Sequence, residues 1–101
     1  MVYDLIVSPE AEADLSGSFL WYEEKRKGLG FDFLLQVDAG LRFLSRNPKA
    51  NEIRYKTVRV QLIKRFPFKI IYVVKEQSVI VLAILHEKRG GSLEKKRTRA
   101  S

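Results

Sequence analysis

The stretch from Val58 to Arg89, VRVQLIKRFPFKIIYVVKEQSVIVLAILHEKR, leaves this chain few ways to fold. Val58 to Lys64 alternates, with Val58, Val60 and Leu62 on one face and Arg59 and Gln61 on the other, which is the period of a half-buried strand. Phe68 to Val74 and Val79 to Leu85 are nearly unbroken apolar runs rich in β-branched residues, as inner strands covered on both faces require. Lys64-Arg65-Phe66-Pro67 and Lys75-Glu76-Gln77-Ser78 break these runs and read as turns, since Pro67 has no N–H to give to a ladder. A three-stranded meander results, ending in His86, Lys88 and Arg89. Its apolar positions Val60, Leu62, Ile70, Tyr72, Val81 and Leu85 are the expected core.

The residues upstream supply a cover for that sheet. Tyr3 to Val7 is a short apolar strand, expected at a sheet edge. Ser8-Pro9-Glu10 starts a helix, with a serine N-cap, proline at the first helical position and acids at the positive end of the dipole. That helix runs to about Lys27 with Ala11, Leu15, Phe19 and Tyr22 on one stripe, so Tyr22 is expected in the core ahead of Trp21. Gly28-Leu29-Gly30 stops it. A second helix runs from about Phe31 to Asn47-Pro48, with Leu34, Val37, Leu41 and Leu44 on its stripe and Phe31 and Leu35 beside it. Lys49 to Lys56 is a polar connection. The order β-α-α-β-β-β is that of an α+β fold, a two-layer sandwich in which a helical hairpin packs on a mainly antiparallel four-stranded sheet.

At 101 residues, 46% of them hydrophobic and 31% charged, the chain has room for one core. Residues 1–89 form the expected single domain, and residues 90–101, opening on Gly90-Gly91-Ser92, are expected to be a flexible basic tail. No run approaches the roughly 18 to 20 apolar residues that span a bilayer, and Asp4 spoils any basic leader, so a cytoplasmic protein with no membrane partner is expected. The net charge of +7 is unevenly placed: residues 1–47 carry five basic and eight acidic side chains, residues 48–101 fourteen and four. Such a field favours a polyanion or an acidic protein partner.

The absence of cysteine removes disulfides, thiolate nucleophiles and thiolate metal sites, and a single histidine makes no metal cluster, so neither cofactor nor metal is expected. Walker, zincin and nucleophile-elbow motifs are absent. What remains is a basic group around the sheet: Arg59, Gln61, Lys69, His86, Lys88 and Arg89, with Lys64 and Arg65 near the strand ends. If the helices cover one face, the other face or its rim presents these cations and the imidazole together. Cations stabilise a phosphorane and histidine moves protons near neutral pH, so the set suits metal-free RNA cleavage. It suits phosphate binding without reaction equally well, and solvated strand residues would show the same pattern.

With its elements in order, the chain resembles the RelE/ParE superfamily of bacterial type II toxins over about Tyr3 to Arg89. The resemblance rests on SPEAEADL after the opening strand, WYEEKRKGLGFDFLLQVDAGLRFLSRNP, VRVQLIKRFPFKIIYVV and VIVLAILHEKR, in that order and spacing. Phe-Pro-aromatic at the hairpin turn and the terminal His-x-x-Arg make it look more like the ParE-type, plasmid-stabilisation branch. That branch implies a growth-inhibiting toxin, silenced by a cognate antitoxin encoded beside it, which binds an essential target, DNA gyrase. The RelE branch implies the alternative, cleavage of mRNA in the ribosome without metal. There Lys69 stands where that branch has a strand arginine, Arg89 matches the arginine after the last strand, and Arg59 and Gln61 lie where strand lysines are usual. No tyrosine follows Tyr72, so the branch's C-terminal tyrosine has no counterpart, and His86 is the candidate proton carrier in its place. The catalytic set on that reading is Arg89, Lys69, His86 and Arg59; Gln61, Lys64, Arg65 and Lys88 are the candidate contacts to a target or its phosphates. Charge alone supports a third reading, a non-toxic basic nucleic-acid-binding module.

Overall fold

Ser8 fixes where the first strand ends and the first helix begins. In a computed structural model, which describes residues 2–88, its hydroxyl accepts from the Ala11 N–H at 3.1 Å and donates to the Leu82 carbonyl at 3.3 Å. One side chain thus caps a helix and pins it to the sheet. The elements in chain order are β1 (Asp4–Val7), α1 (Pro9–Lys25), α2 (Leu29–Arg46), β2 (Ile53–Tyr55), β3 (Val58–Leu62), β4 (Phe68–Lys75) and β5 (Ser78–His86). Residues 90–101, expected to be a tail, lie outside the described residues, as does Arg89.

The link between the helices is shorter than its two glycines suggest. Gly28 takes a left-handed φ of 90°, and α2 restarts at once at Leu29. Gly28 offers no side-chain cap, so the Glu23 carboxylate of α1 serves instead, accepting from the Gly28 and Gly30 N–H groups at 2.9 Å each. A negative group there also suits the α2 dipole. At Gly30 the helices approach so closely that a Cβ would stand 2.7 Å from the Phe19 carbonyl oxygen, which only glycine avoids.

The sheet order is β1-β5-β4-β3-β2, with β1 parallel to β5 and every other pair antiparallel. The two-layer α+β class holds, with five strands where four were expected. The additional strand, β2, is three residues of the polar connection after α2 and pairs with β3 through Ile53 and Arg59. It is too short to show a period. No helix among the described residues is long and apolar enough to cross a membrane.

Both faces of the sheet are apolar. On the helix side, Ala11, Phe33, Val37 and Leu44 pack over Phe68, Ile70, Tyr72, Val79, Val81 and Ile84. On the opposite face Val58, Val60, Ile71, Leu82, Ala83 and Leu85 form a second buried cluster. Of the core expected under the helices, Ile70, Tyr72 and Val81 are there, whereas Val60 and Leu85 belong to the opposite face and Leu62 is 51% exposed. For Leu85 the cause is a bulge: Ile71 pairs with Ala83 but Tyr72 with Val81, so Leu82 is an extra residue in β5. One inserted residue exchanges the faces of everything beyond it. In an all-apolar run that exchange leaves no trace in the sequence. Val60 lies opposite Ile71 in an unbroken β3–β4 ladder, because β3 turns Arg59 and Gln61 to the helix side instead.

Four rings join the layers at one end of the sheet. Phe33 lies 5.1 Å from Tyr22, 5.4 Å from Phe66 and 4.9 Å from Phe68, centroid to centroid, and Tyr22 lies 5.0 Å from Phe66. Trp21 stays on the surface under the Lys25 ammonium. On α2 the buried stripe is centred on Phe33, Val37 and Leu44, rotated from the expected one, and Phe31 and Leu35 face away from the sheet. Phe33→Ala should therefore lower stability by about 3 to 5 kcal/mol. Leu35→Ala should change it by no more than about 0.5 kcal/mol. Urea unfolding monitored by far-UV circular dichroism distinguishes the two.

Candidate functional site

The connection after α2 is tied to the sheet by side chains rather than by a ladder. The Tyr72 hydroxyl, on β4, donates to the Pro48 carbonyl at 2.8 Å and accepts from the Asn51 amide at 3.2 Å. The same Asn51 nitrogen donates to Gln61 Oε1 at 2.8 Å, and the Arg59 guanidinium donates to the Asn51 carbonyl oxygen. Arg59 lies opposite Tyr72 and Gln61 opposite Ile70, so both stand on the helix-side face. They are engaged in holding residues 48–51 against the sheet. Burial pushes the Tyr72 hydroxyl above the usual tyrosine range, partly offset by the Asn51 hydrogen bond and the Arg59 charge. Neither Asn51 nor the hydroxyl of Tyr72 stood out in the sequence; an Asn in a polar connection has no signature.

Lys69 points the other way. It lies opposite Leu62 on β3 and Leu85 on β5, on the face away from the helices, and is only 8% exposed. Arg59 and Lys69 are therefore on opposite faces, and the cations expected together are divided by the sheet. Lys64 and Arg65, exposed in the turn between β3 and β4, form another group with the end of β5. The Glu87 N–H donates to the Pro67 carbonyl at 2.8 Å, which places exposed Lys88 at the same end of the sheet as that turn. Arg65 has a left-handed φ of 70°, a tight reversal that turns the chain back into β4.

His86 sits at this end on the helix side, opposite Phe68, with the two rings 5.5 Å apart. Its Nδ1 accepts from the Lys88 N–H at 3.2 Å. It borders a hollow of about 280 Å³ whose other wall is α1, at Asp14, Gly17 and Ser18. Asp14 accepts from the Ile84 N–H at 3.1 Å because β1 ends at Val7 and leaves this length of β5 without a strand beside it. The carboxylate thus replaces a ladder partner. Among the described residues no three His, Cys, Asp or Glu side chains converge as a metal cluster. Chemically, the open end of the sheet offers exposed cations, Lys64, Arg65 and Lys88, beside one imidazole. That set binds anionic groups, and Arg89 follows it directly in sequence.

Residues 5–90 match the family model described as "ParE toxin of type II toxin-antitoxin system, parDE". Among solved structures, the chain is similar to one titled "Chromosomal ParDE TA system from P. aeruginosa", with a TM-score of 0.74 at 20% identity over 84% of this chain and 96% of that one. At that identity the likeness is one of fold. No curated protein matches.

Tyr72→Phe leaves the buried Pro48 carbonyl without its donor and should cost about 1 to 3 kcal/mol in denaturant unfolding. The raised hydroxyl has a definite alkaline sign. The folded chain holds this proton where the unfolded chain has released it, so the contribution is whole below about pH 10 and lost as pH climbs through the folded value. The Phe variant should accordingly lose less of its remaining stability between neutral and strongly alkaline pH.

Proposed function

Since the chain belongs to the ParE family of type II toxins, we propose that it inhibits growth by binding DNA gyrase and that a cognate antitoxin holds it inactive. The match over residues 5–90 carries this reading. The arrangement of the polar residues supports docking over RNA cleavage. Cleavage asks Arg59 and Lys69 to meet one scissile phosphate, and they stand on opposite faces, Lys69 nearly buried and Arg59 engaged with the 48–51 backbone. Lys64, Arg65 and Lys88 are the contacts proposed for the target, because they are exposed and share one end of the sheet. Gln61, tied to Asn51, supports them by fixing its strand. The antitoxin proposed here is acidic, matching the net charge of +10 over residues 48–101.

In a supercoiling assay, the purified chain should inhibit gyrase and added antitoxin should restore activity. A Lys64→Glu, Arg65→Glu variant should need about tenfold more protein for the same inhibition, through a loss of about 1.4 kcal/mol of binding, with an unchanged circular dichroism spectrum. Full supercoiling at large toxin excess, with mRNA cleaved in a translating extract, would replace this reading by the endoribonuclease.

A further inference from the structure

α2 and the end of β3 do not close on each other. Between them lies a hollow of about 420 Å³. Its helix wall is Gln36, Ala39, Gly40 and Phe43, whose spacing of three and four places them on one face of α2. The two small residues in the middle leave the space. A Cβ at Gly40 would stand 3.0 Å from Ile70 Cδ1, so the helix already sits close on the sheet here and the hollow is preformed rather than slack. The strand wall is Gln61, Leu62, Ile63 and Lys64. Phe43 and Leu62, 43% and 51% exposed, are apolar walls that the fold itself leaves in water.

The polar groups around the hollow differ in what they are free to do. Gln61 is engaged: its Oε1 accepts from Asn51 at 2.8 Å and its Nε2 donates to the Leu62 carbonyl at 3.0 Å. The Gln36 amide and the Lys64 ammonium have no partner among the described residues. Lys64 is also the one ionised side chain on these walls among the described residues. An ammonium only donates, and an amide nitrogen adds further donors, so the group that answers them is a negatively charged acceptor. One cation answers one charge; a phosphate asks for several charged donors. The remaining surface, Ala39, Phe43, Leu62 and Ile63, asks for hydrocarbon. Apolar walls with a few convergent polar groups, in a hollow of this size, are the make-up of a small-molecule site.

We propose that this hollow is a binding site for a monocarboxylic acid with an apolar body. The carboxylate takes the Lys64 ammonium and the Gln36 amide as donors. The hydrocarbon, a ring with a short chain, lies against Phe43, Leu62 and Ile63. Binding is reversible and involves no reaction.

Hydrocinnamate tests this on the full chain, by amide NMR during titration to about 10 mM, with a dissociation constant of about 1 mM or below expected. The Gln36 side-chain amide and the Gly40 and Ile63 backbone amides should move together along one saturating curve. Acetate has the charge without the body, and phenylpropylamine has the body with the opposite charge; both should leave these signals in place. Lys64→Glu should weaken binding about tenfold or more. Ala39→Leu, which fills the hollow from an exposed helix position, should remove it, and both variants should keep the circular dichroism spectrum. Signals that do not saturate overturn the proposal, as does equal binding of the amine or undiminished binding by either variant. A response to acetate as large as that to hydrocinnamate also overturns it, since it reduces the site to attraction by one lysine. These readings concern the hollow alone and hold whatever target the chain binds.

Discussion

The packing of Tyr22, Phe33, Phe66 and Phe68 is the interaction on which the rest of the structure depends. Each ring comes from a different element: α1, α2, the turn between β3 and β4, and β4 itself. No two-layer sandwich is stable without a shared core, and here the most aromatic part of that core lies at the end of the sheet where the turn and the last strand meet. It fixes the helical hairpin over β4 and β5. It also sets the turn that displays Lys64 and Arg65. The basic end of the molecule is thus a consequence of how the core is closed.

Much of the fold was legible because it is written in period and punctuation. Ser8-Pro9 caps α1 as expected, Gly28 reverses the chain, Asn47-Pro48 ends α2, and the three late strands fall where the apolar runs place them. What escaped was information that period cannot hold. The bulge at Leu82 exchanges the faces of an all-apolar strand, so Leu85 changed sides without any residue looking out of place. On β3 it is the polar pair Arg59 and Gln61 that faces the helices, which puts Val60 on the far side. β2, three residues long, is too short to show a period. On α2, apolar residues occupy more of the helix than one stripe, and Phe33 rather than Leu34 turned out to be central.

The site was less legible than the fold, for a related reason. Arg59, Lys69 and His86 look alike in sequence as polar breaks within apolar strands. Their meaning depends on which face each occupies and on who answers it. Arg59 is answered by the Asn51 carbonyl, His86 by the Lys88 N–H, and Lys69 is turned onto the far face among Leu62 and Leu85. One apparent cluster resolves into a structural brace, a strand-end imidazole and a buried cation. The exposed remainder, Lys64, Arg65 and Lys88, was visible from charge, and the family membership gives those cations a context in which to act.

A docking toxin and a nuclease differ most sharply in what is damaged in the cell. The direct measurement is the topology of a reporter plasmid from an induced culture, run beside a map of mRNA 5′ ends from the same cells. A chain that acts on gyrase should leave the plasmid with less negative supercoiling and the transcripts unaltered. New 5′ ends within coding regions, with plasmid supercoiling unchanged, would contradict it.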